Sequence, residues 1–119
     1  MDSLSDRVRS LNQLVAQFKF LEALDRFYAD DIVSVENEGP PTIGLEAYRV
    51  SAIKYLNSIS NPSATLLDTL IGDDISVCHW HYRFDHQEWG HWDRTQFSVQ
   101  RWMNGKIVHE RHHYNINKL

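Results

Sequence analysis

Two ionisable side chains near the C-terminus are spaced as residues on one face of a β-strand. Glu110 and His112 lie two residues apart in the segment 106–114, whose pattern predicts a strand. A carboxylate and an imidazole on the same face can act as an acid/base pair or bind a polar ligand, and they can equally form a structural hydrogen bond. The pair is therefore a candidate for proton-transfer chemistry whose role the pattern leaves open.

A further carboxylate, Glu36, ends the short β-branched segment 32–36, and Gly39, Pro40 and Pro41 stop that segment. A carboxylate that is enclosed by aromatic side chains is harder to ionise and is therefore a better base near neutral pH. The alternative is an ordinary solvated glutamate at the end of a strand. We take Glu36 as the first candidate base.

The sequence His79-Trp80-His81 has the spacing of a metal motif, because two histidines at i and i+2 of a strand point the same way. It resembles the His-x-His of cupins, but Glu88 is too distant for that pattern and the flanking glycines do not fit. Alternation also predicts that both histidines lie on the outer face of the sheet. We therefore expect no metal and no cofactor, and the alternative is a pH-sensitive interface between subunits.

The elements that must position these residues are three helices followed by strands. Apolar residues recur at helical spacing in two consecutive N-terminal stretches and again after Gly44. Everything after Pro62 predicts an antiparallel meander, with Asn104-Gly105 as a two-residue hairpin turn. The predicted strands span 64–71, 75–85, 92–103 and 106–114. Helices first and antiparallel strands afterwards indicate an α+β domain with the helices packed on one face of a bent sheet.

Alternation along the two central strands predicts a shared inner face that mixes aromatic and polar side chains. Such a face suits a polar cavity of ligand size, although its polar members could instead be solvated on an open sheet. Arg94 could bind an anionic group or neutralise a nearby carboxylate. The opposite face, with Phe97 and Val99, suits a second sheet or subunit. The predicted inner face carries Trp80, Tyr82, Trp92, Arg94, Gln96, Gln100 and Trp102.

Length and composition limit the function classes. The 119 residues, 14.0 kDa, suffice for a single domain, 1–119. The net charge of -4 argues against nucleic acid and anionic membranes as partners, and no run of apolar residues is long enough for a membrane span. The single cysteine, Cys78, cannot form an internal disulfide, and the N-terminus does not have the pattern of a signal peptide, so a cytoplasmic location is expected.

Three short segments resemble the nuclear transport factor 2-like superfamily, and within it the SnoaL-like branch of small bacterial proteins. The segment 20–36 resembles the helix, Tyr-Ala-Asp-Asp and strand at the entry of the fold. The segment 39–49 resembles a helix start of the type Gly-x-Glu-Ala, and 101–114 resembles the last hairpin, with Asn-Gly-Lys-Ile-Val. The resemblance implies three helices in a strongly curved, mostly antiparallel sheet that forms a cone around a pocket.

The resemblance also implies roles for particular residues. Homodimers through the outer sheet face are usual in the family, and the inner face of the last strand would carry Glu110, His112 and Tyr114. Steroid-isomerase-like members place a general base where Glu36 lies, but their oxyanion donors have no match here, the position on the penultimate strand being Ser98. We therefore expect a small-molecule-binding protein that acts as a cofactor-independent acid/base enzyme of the isomerase, cyclase or hydratase type, with Glu36 or His112 as base. The alternative is a non-catalytic ligand-binding or dimerisation module.

Overall fold

The computed structural model describes residues 2–115 and confirms an α+β architecture of three helices and a six-stranded sheet that is curled but not closed. The helices are α1 Leu4–Ala16, α2 Phe20–Phe27 and α3 Leu45–Ser58. The strands are β1 Tyr28–Glu36, β2 Thr42–Ile43, β3 Ile59–Ile71, β4 Ile75–His86, β5 Gly90–Met103 and β6 Lys106–Tyr114. Their order across the sheet is β2-β1-β6-β5-β4-β3.

Helix α1 begins where its sequence supplies a cap. The Ser3 hydroxyl accepts a hydrogen bond from the backbone N–H of Asp6, and the Asp6 carboxylate accepts one from the backbone N–H of Ser3. This reciprocal capping box satisfies two N–H groups that the helix itself cannot pair. The apolar stripe then buries Val8 and Leu11 against the sheet. The predicted first helix is therefore confirmed, and Ser3 caps it.

The strand pairing brings the two ends of the chain together. β1 runs parallel to β6, whereas β6, β5, β4 and β3 form an antiparallel series. The hairpin between β5 and β6 turns at Asn104 and Gly105, whose φ angles are 52° and 78°. Both angles are positive, as the predicted two-residue turn requires. The parallel β1–β6 pair places Glu36 directly beside His112.

Several element boundaries differ from those predicted. β3 begins at Ile59 and continues through Pro62, whereas the sequence predicts a strand only from residue 64. Proline is tolerated there because β3 is an edge strand, so the missing N–H costs no ladder bond, and the pairing register shifts between Ser60 and Ser63. β1 begins directly after α2 at Tyr28 rather than at Ile32. That extension adds Tyr28, a buried tyrosine, to the inner side of the sheet.

The core lies between the helices and the inner face of the sheet. β4 alternates strictly between buried and partly exposed positions over most of its length, and its even-numbered residues are the buried ones, as predicted. Cys78, on that face, is completely buried and is a free thiol. No helix within residues 2–115 is long and apolar enough to cross a membrane. The buried apolar residues include Val8, Leu11, Leu24, Phe27, Ile32, Trp80, Phe84, Trp102 and Ile107.

Candidate active site

A cavity of about 540 Å³ lies between the helices and the inner face of β4, β5 and β6. Its volume falls within the range of small-molecule pockets. Its wall is largely aromatic, with rings from α3, β4, β5 and the hairpin between β4 and β5. It also carries polar side chains from several elements, among them β1, α3, β5 and β6. Residues predicted for the site that line it are Glu36, Trp80, Tyr82, Trp92, Gln96, Gln100, Glu110, His112 and Tyr114.

The carboxylate of Glu110 is the most heavily hydrogen-bonded group in the cavity wall. It is 1% exposed and accepts hydrogen bonds from the hydroxyls of Tyr28 and Tyr48, both at 2.6 Å, and from the amide Nε2 of Gln100 at 2.7 Å. The Nε2 of His112 lies 3.1 Å from the same carboxylate. These donors come from β1, α3, β5 and β6, so the folded chain stabilises a buried negative charge at this point.

His112 is the positive partner of Glu110. One ring nitrogen, Nε2, faces Glu110 and lies 3.2 Å from the Tyr48 hydroxyl. The other, Nδ1, lies 2.9 Å from the Ser98 hydroxyl and 3.3 Å from the Gln96 amide. With both nitrogens bonded to protein groups, the protonated ring has a partner for each N–H. His112 itself lines the cavity, and its Nδ1–H is paired there with the Ser98 hydroxyl.

The two groups shift each other's pKa in opposite directions. Burial raises the pKa of Glu110, but the charge of His112 and hydrogen bonds from His112, Tyr28 and Tyr48 outweigh burial and lower that pKa to about 2. Burial lowers the pKa of His112, but the charge of Glu110, the hydrogen bond to it and the charge of Glu36 raise that pKa to about 9. Both groups are therefore charged at neutral pH.

This pair predicts how the free energy of unfolding depends on pH. The pKa of Glu110 is lowered from 4.5 to about 2, so its contribution is present above pH 4.5 and is lost as the pH falls towards 2. The pKa of His112 is raised from 6.5 to about 9, so its contribution is complete below pH 6.5 and is lost as the pH rises through 9. We expect urea unfolding to show a loss of stability from pH 6.5 to 9 in the native chain.

The matched control for this pH dependence is His112→Gln, in which the loss between pH 6.5 and 9 should be absent. A native stability that is constant across this interval would contradict the assignment of charge to the pair.

Glu36 lies at the mouth of the cavity. Its residue is exposed, at the C-terminal end of β1, and its side chain lines the cavity. Burial, the charge of Glu36 and a hydrogen bond to it raise the pKa of Tyr114. The negative charge of Glu36 therefore acts on the interior although the carboxylate itself meets solvent.

Arg94 and Trp102 belong to the predicted inner face but lie outside the cavity wall. The Arg94 guanidinium stacks 4.1 Å from the centroid of the Trp92 ring and donates to the backbone carbonyl of Asn115, and within residues 2–115 no ion pair joins it to Glu36 or Glu110. Trp102 is buried, and its indole N–H donates to the Ser76 hydroxyl at 2.9 Å. Alternation predicts only the face of a strand residue. The stacking of Arg94 on Trp92 and the burial of Trp102 in the core depend on the tertiary fold.

His79 and His81 lie on the outer face of β4, as alternation predicts. His79 contacts Asp68 at 3.3 Å and stacks on Phe97, with ring centroids 4.0 Å apart, while His81 pairs with Asp93. Within the described part of the chain, no three potential metal ligands come together. Each histidine thus has a carboxylate partner on the outer surface.

Tyr28, Tyr48 and Trp89 line the cavity and were not among the predicted site residues. The two tyrosines lie 82 and 62 residues from Glu110 in the chain, so spacing could not connect them with it. Trp89 lies in a predicted turn, where alternation carries no information. The signal that could have found Tyr48 is its place in the amphipathic stripe of the third helix.

Three helices on the inner side of a curled sheet, with a cavity between them, define the nuclear transport factor 2-like class. The chain belongs to the SnoaL-like domain family, whose model matches residues 8–110. The resemblance seen in the sequence is therefore confirmed. A search of curated proteins finds no significant match.

Solved structures support the fold. A protein from Mesorhizobium loti with the provisional name SnoaL-like polyketide cyclase aligns with a TM-score of 0.83 and 22% identity, covering 95% of this chain and 100% of that chain. A protein of the same provisional name from Jannaschia has a TM-score of 0.82 and 8% identity, covering 98% and 91%. A provisional polyketide cyclase from Xanthomonas campestris has a TM-score of 0.77 and 17% identity, covering 94% and 90%. At these identities the likeness shows the fold alone.

Proposed function

We propose that this protein binds a small carbonyl compound with a ring system in the cavity and catalyses proton transfer on it without a cofactor, as isomerases and cyclases do. The observation that carries the proposal is the buried Glu110–His112 ion pair, in which a protonated imidazole lies beside the Ser98 hydroxyl in the wall of the cavity. The provisional name of the structural neighbours, polyketide cyclase, is consistent with this class of reaction.

In this proposal Ser98 and His112 stabilise the substrate oxygen. The protonated Nδ1–H of His112 donates to the Ser98 hydroxyl oxygen, at 2.9 Å, which leaves the hydroxyl hydrogen free to donate to a ligand. When the carbonyl compound becomes an enolate, its oxygen gains negative charge. The Ser98 hydroxyl, polarised by the positive charge of His112, would stabilise that charge by donating a hydrogen bond to it. His112 thus acts on the acid side of the reaction, rather than as the base that the sequence suggested.

Glu36 is the proposed base. It would remove a proton from the carbon beside the carbonyl; the C–H electron pair forms the enolate, and Glu36 then returns the proton to carbon, so that no net proton is consumed. Its register position beside His112 in the parallel β1–β6 pair supports this assignment. Glu110 serves as a positioning residue that holds His112 protonated.

The experiment follows exchange of α-hydrogens for deuterium in 2-tetralone by proton NMR in buffered D₂O, because this needs no knowledge of the natural substrate. We expect exchange above the buffer rate, a loss of about 100-fold or more in Glu36→Gln, and of about 10- to 100-fold in His112→Gln. His81→Gln, on the outer face, is the matched control and should retain the native rate. Native exchange in both cavity variants would contradict the proposal.

One observation favours a second candidate, a non-catalytic binding module. Among the described residues, every buried side-chain nitrogen and oxygen already has a hydrogen-bond partner, as in a purely structural ion pair. If 2-tetralone binds the native protein and Glu36→Gln/His112→Gln equally tightly, and neither catalyses exchange, this second function is the correct one.

We also propose that two copies associate through the outer face of the sheet. Phe97 is 45% exposed and stands on that face beside Val99, and Leu70, 70% exposed, extends the apolar surface on β3. Burial of such a patch between copies is favourable. Light scattering that shows a monomer at micromolar concentration would contradict this association.

We also propose a cytoplasmic location, which the free thiol of Cys78 supports.

A further inference from the structure

The hairpin between β4 and β5 carries a tryptophan at the mouth of the cavity and is held in a defined conformation. The Nδ1 of His86 accepts hydrogen bonds from the backbone N–H groups of Glu88 and Trp89, at 3.0 and 3.2 Å. The backbone N–H of Gln87 donates to the carbonyl of Ser58 at the end of α3, at 2.9 Å. These bonds fix the three-residue turn to both the sheet and the third helix.

Trp89 is stacked on one face only. Its ring lies parallel to that of His86, with centroids 3.7 Å apart and an interplanar angle of 4°, so the imidazole covers that face. Trp89 is nonetheless 52% exposed, whereas the neighbouring Phe84 is 3% exposed. Trp89 therefore combines a defined stacking partner with a large exposed surface, in a residue that lines the cavity.

Other rings continue from Trp89 along the cavity wall. Its centroid lies 5.6 Å from that of Trp92 and 6.5 Å from that of Tyr55, which belongs to α3. Trp92 in turn stacks on Phe84. Each of these rings is tilted relative to Trp89, so among the described residues His86 alone stacks parallel to it.

We propose that Trp89, held by His86, is a specificity-determining residue that stacks on a flat, conjugated ring of the ligand and so selects it over a saturated ring of the same size. This inference rests on the proposed function, because it assumes that the ligand occupies the cavity. Aromatic stacking adds to the burial of apolar area, and the addition corresponds to about 3- to 10-fold in affinity.

The test compares two probes with the same ten-carbon skeleton and one hydroxyl group, 2-naphthol, which is flat and conjugated, and 2-decalol, which is saturated. Binding is measured by calorimetry and the occupied site by chemical-shift changes in the indole N–H signals. We expect the native protein to bind 2-naphthol about 3- to 10-fold more tightly. Trp89→Leu keeps an apolar side chain without a ring, and it should bind both probes with similar affinity, while Trp89→Phe should retain part of the preference.

The outcomes separate this inference from the proposed function. If the native protein binds both probes equally, or if Trp89→Leu retains the full preference, the role of Trp89 is wrong and the cavity reaction stands. If neither probe binds, the role of Trp89 and binding of ring compounds are both wrong. If the preference depends on Trp89 while the cavity variants exchange 2-tetralone at the native rate, only the proposed reaction fails. Retained chemical-shift dispersion in each variant shows that it is folded.

Discussion

Glu110→Ala is expected to lose about 3–5 kcal/mol of unfolding free energy, measured by urea unfolding at pH 6. The substitution removes the acceptor of hydrogen bonds from Tyr28, Tyr48 and Gln100, and it leaves the imidazolium of His112 without its counter-charge. Unpaired buried donors and an unpaired buried charge are among the costliest changes in a protein interior. Since the whole domain has a stability of about 5–15 kcal/mol, this variant should be close to unfolding at 37 °C.

Glu38→Ala is the matched control, because it removes the same kind of side chain where that side chain is 94% exposed. We expect a change within about 0.5 kcal/mol for this control. Glu110→Gln should fall between the two, since the amide keeps one acceptor but carries no charge. A loss in Glu110→Ala no larger than in the control would show that the ion pair contributes nothing to stability.

Trp80→Ala is expected to lose about 3–5 kcal/mol for a different reason, the removal of a large buried ring. Trp80 is 2% exposed, packs against Tyr82 with ring centroids 5.8 Å apart, and is the largest fully buried side chain among the described residues. It also lies in the wall of two spaces, the cavity and a groove between α1 and β3. Its removal should therefore join these two spaces.

Trp80→Phe is the control for this change, because it retains a ring in the same position and should lose about half as much or less. Urea unfolding measures both. A loss below about 1 kcal/mol in Trp80→Ala would contradict tight packing at the centre of β4, and would mean that neighbouring side chains collapse into the vacated volume.

The sequence supports the architecture because local signals agree with the global pattern. Apolar residues at helical spacing predict all three helices, alternation predicts the buried face of β4, and Asn104-Gly105 predicts the last hairpin. Hydrophobic periodicity is the most reliable of such signals, and element ends are the least reliable. The strand β3, which contains Pro62, shows why. A proline within an edge strand and a proline that ends a strand give the same sequence signal.

The candidate site was predictable only in part. Alternation brings Glu110 and His112 to one face, but the partners that hold Glu110 ionised come from distant parts of the chain. Without Tyr28 and Tyr48, the protonation state of the pair could not be deduced, and His112 looked equally suited to be a base. The surroundings of a buried group decide its charge, and these surroundings are a property of the tertiary fold.

The charge of the Glu110–His112 pair can be measured directly by an NMR titration of His112 in the native protein between pH 5 and 10, which follows the ring ¹³Cε1 signal and uses His112→Gln to assign it. We expect an imidazolium at pH 7 that loses its proton with a pKa of about 9. Titration at or below the ordinary value of 6.5 would mean that the ring is neutral at pH 7. The buried ion pair, and the acid role of His112 with it, would then be wrong.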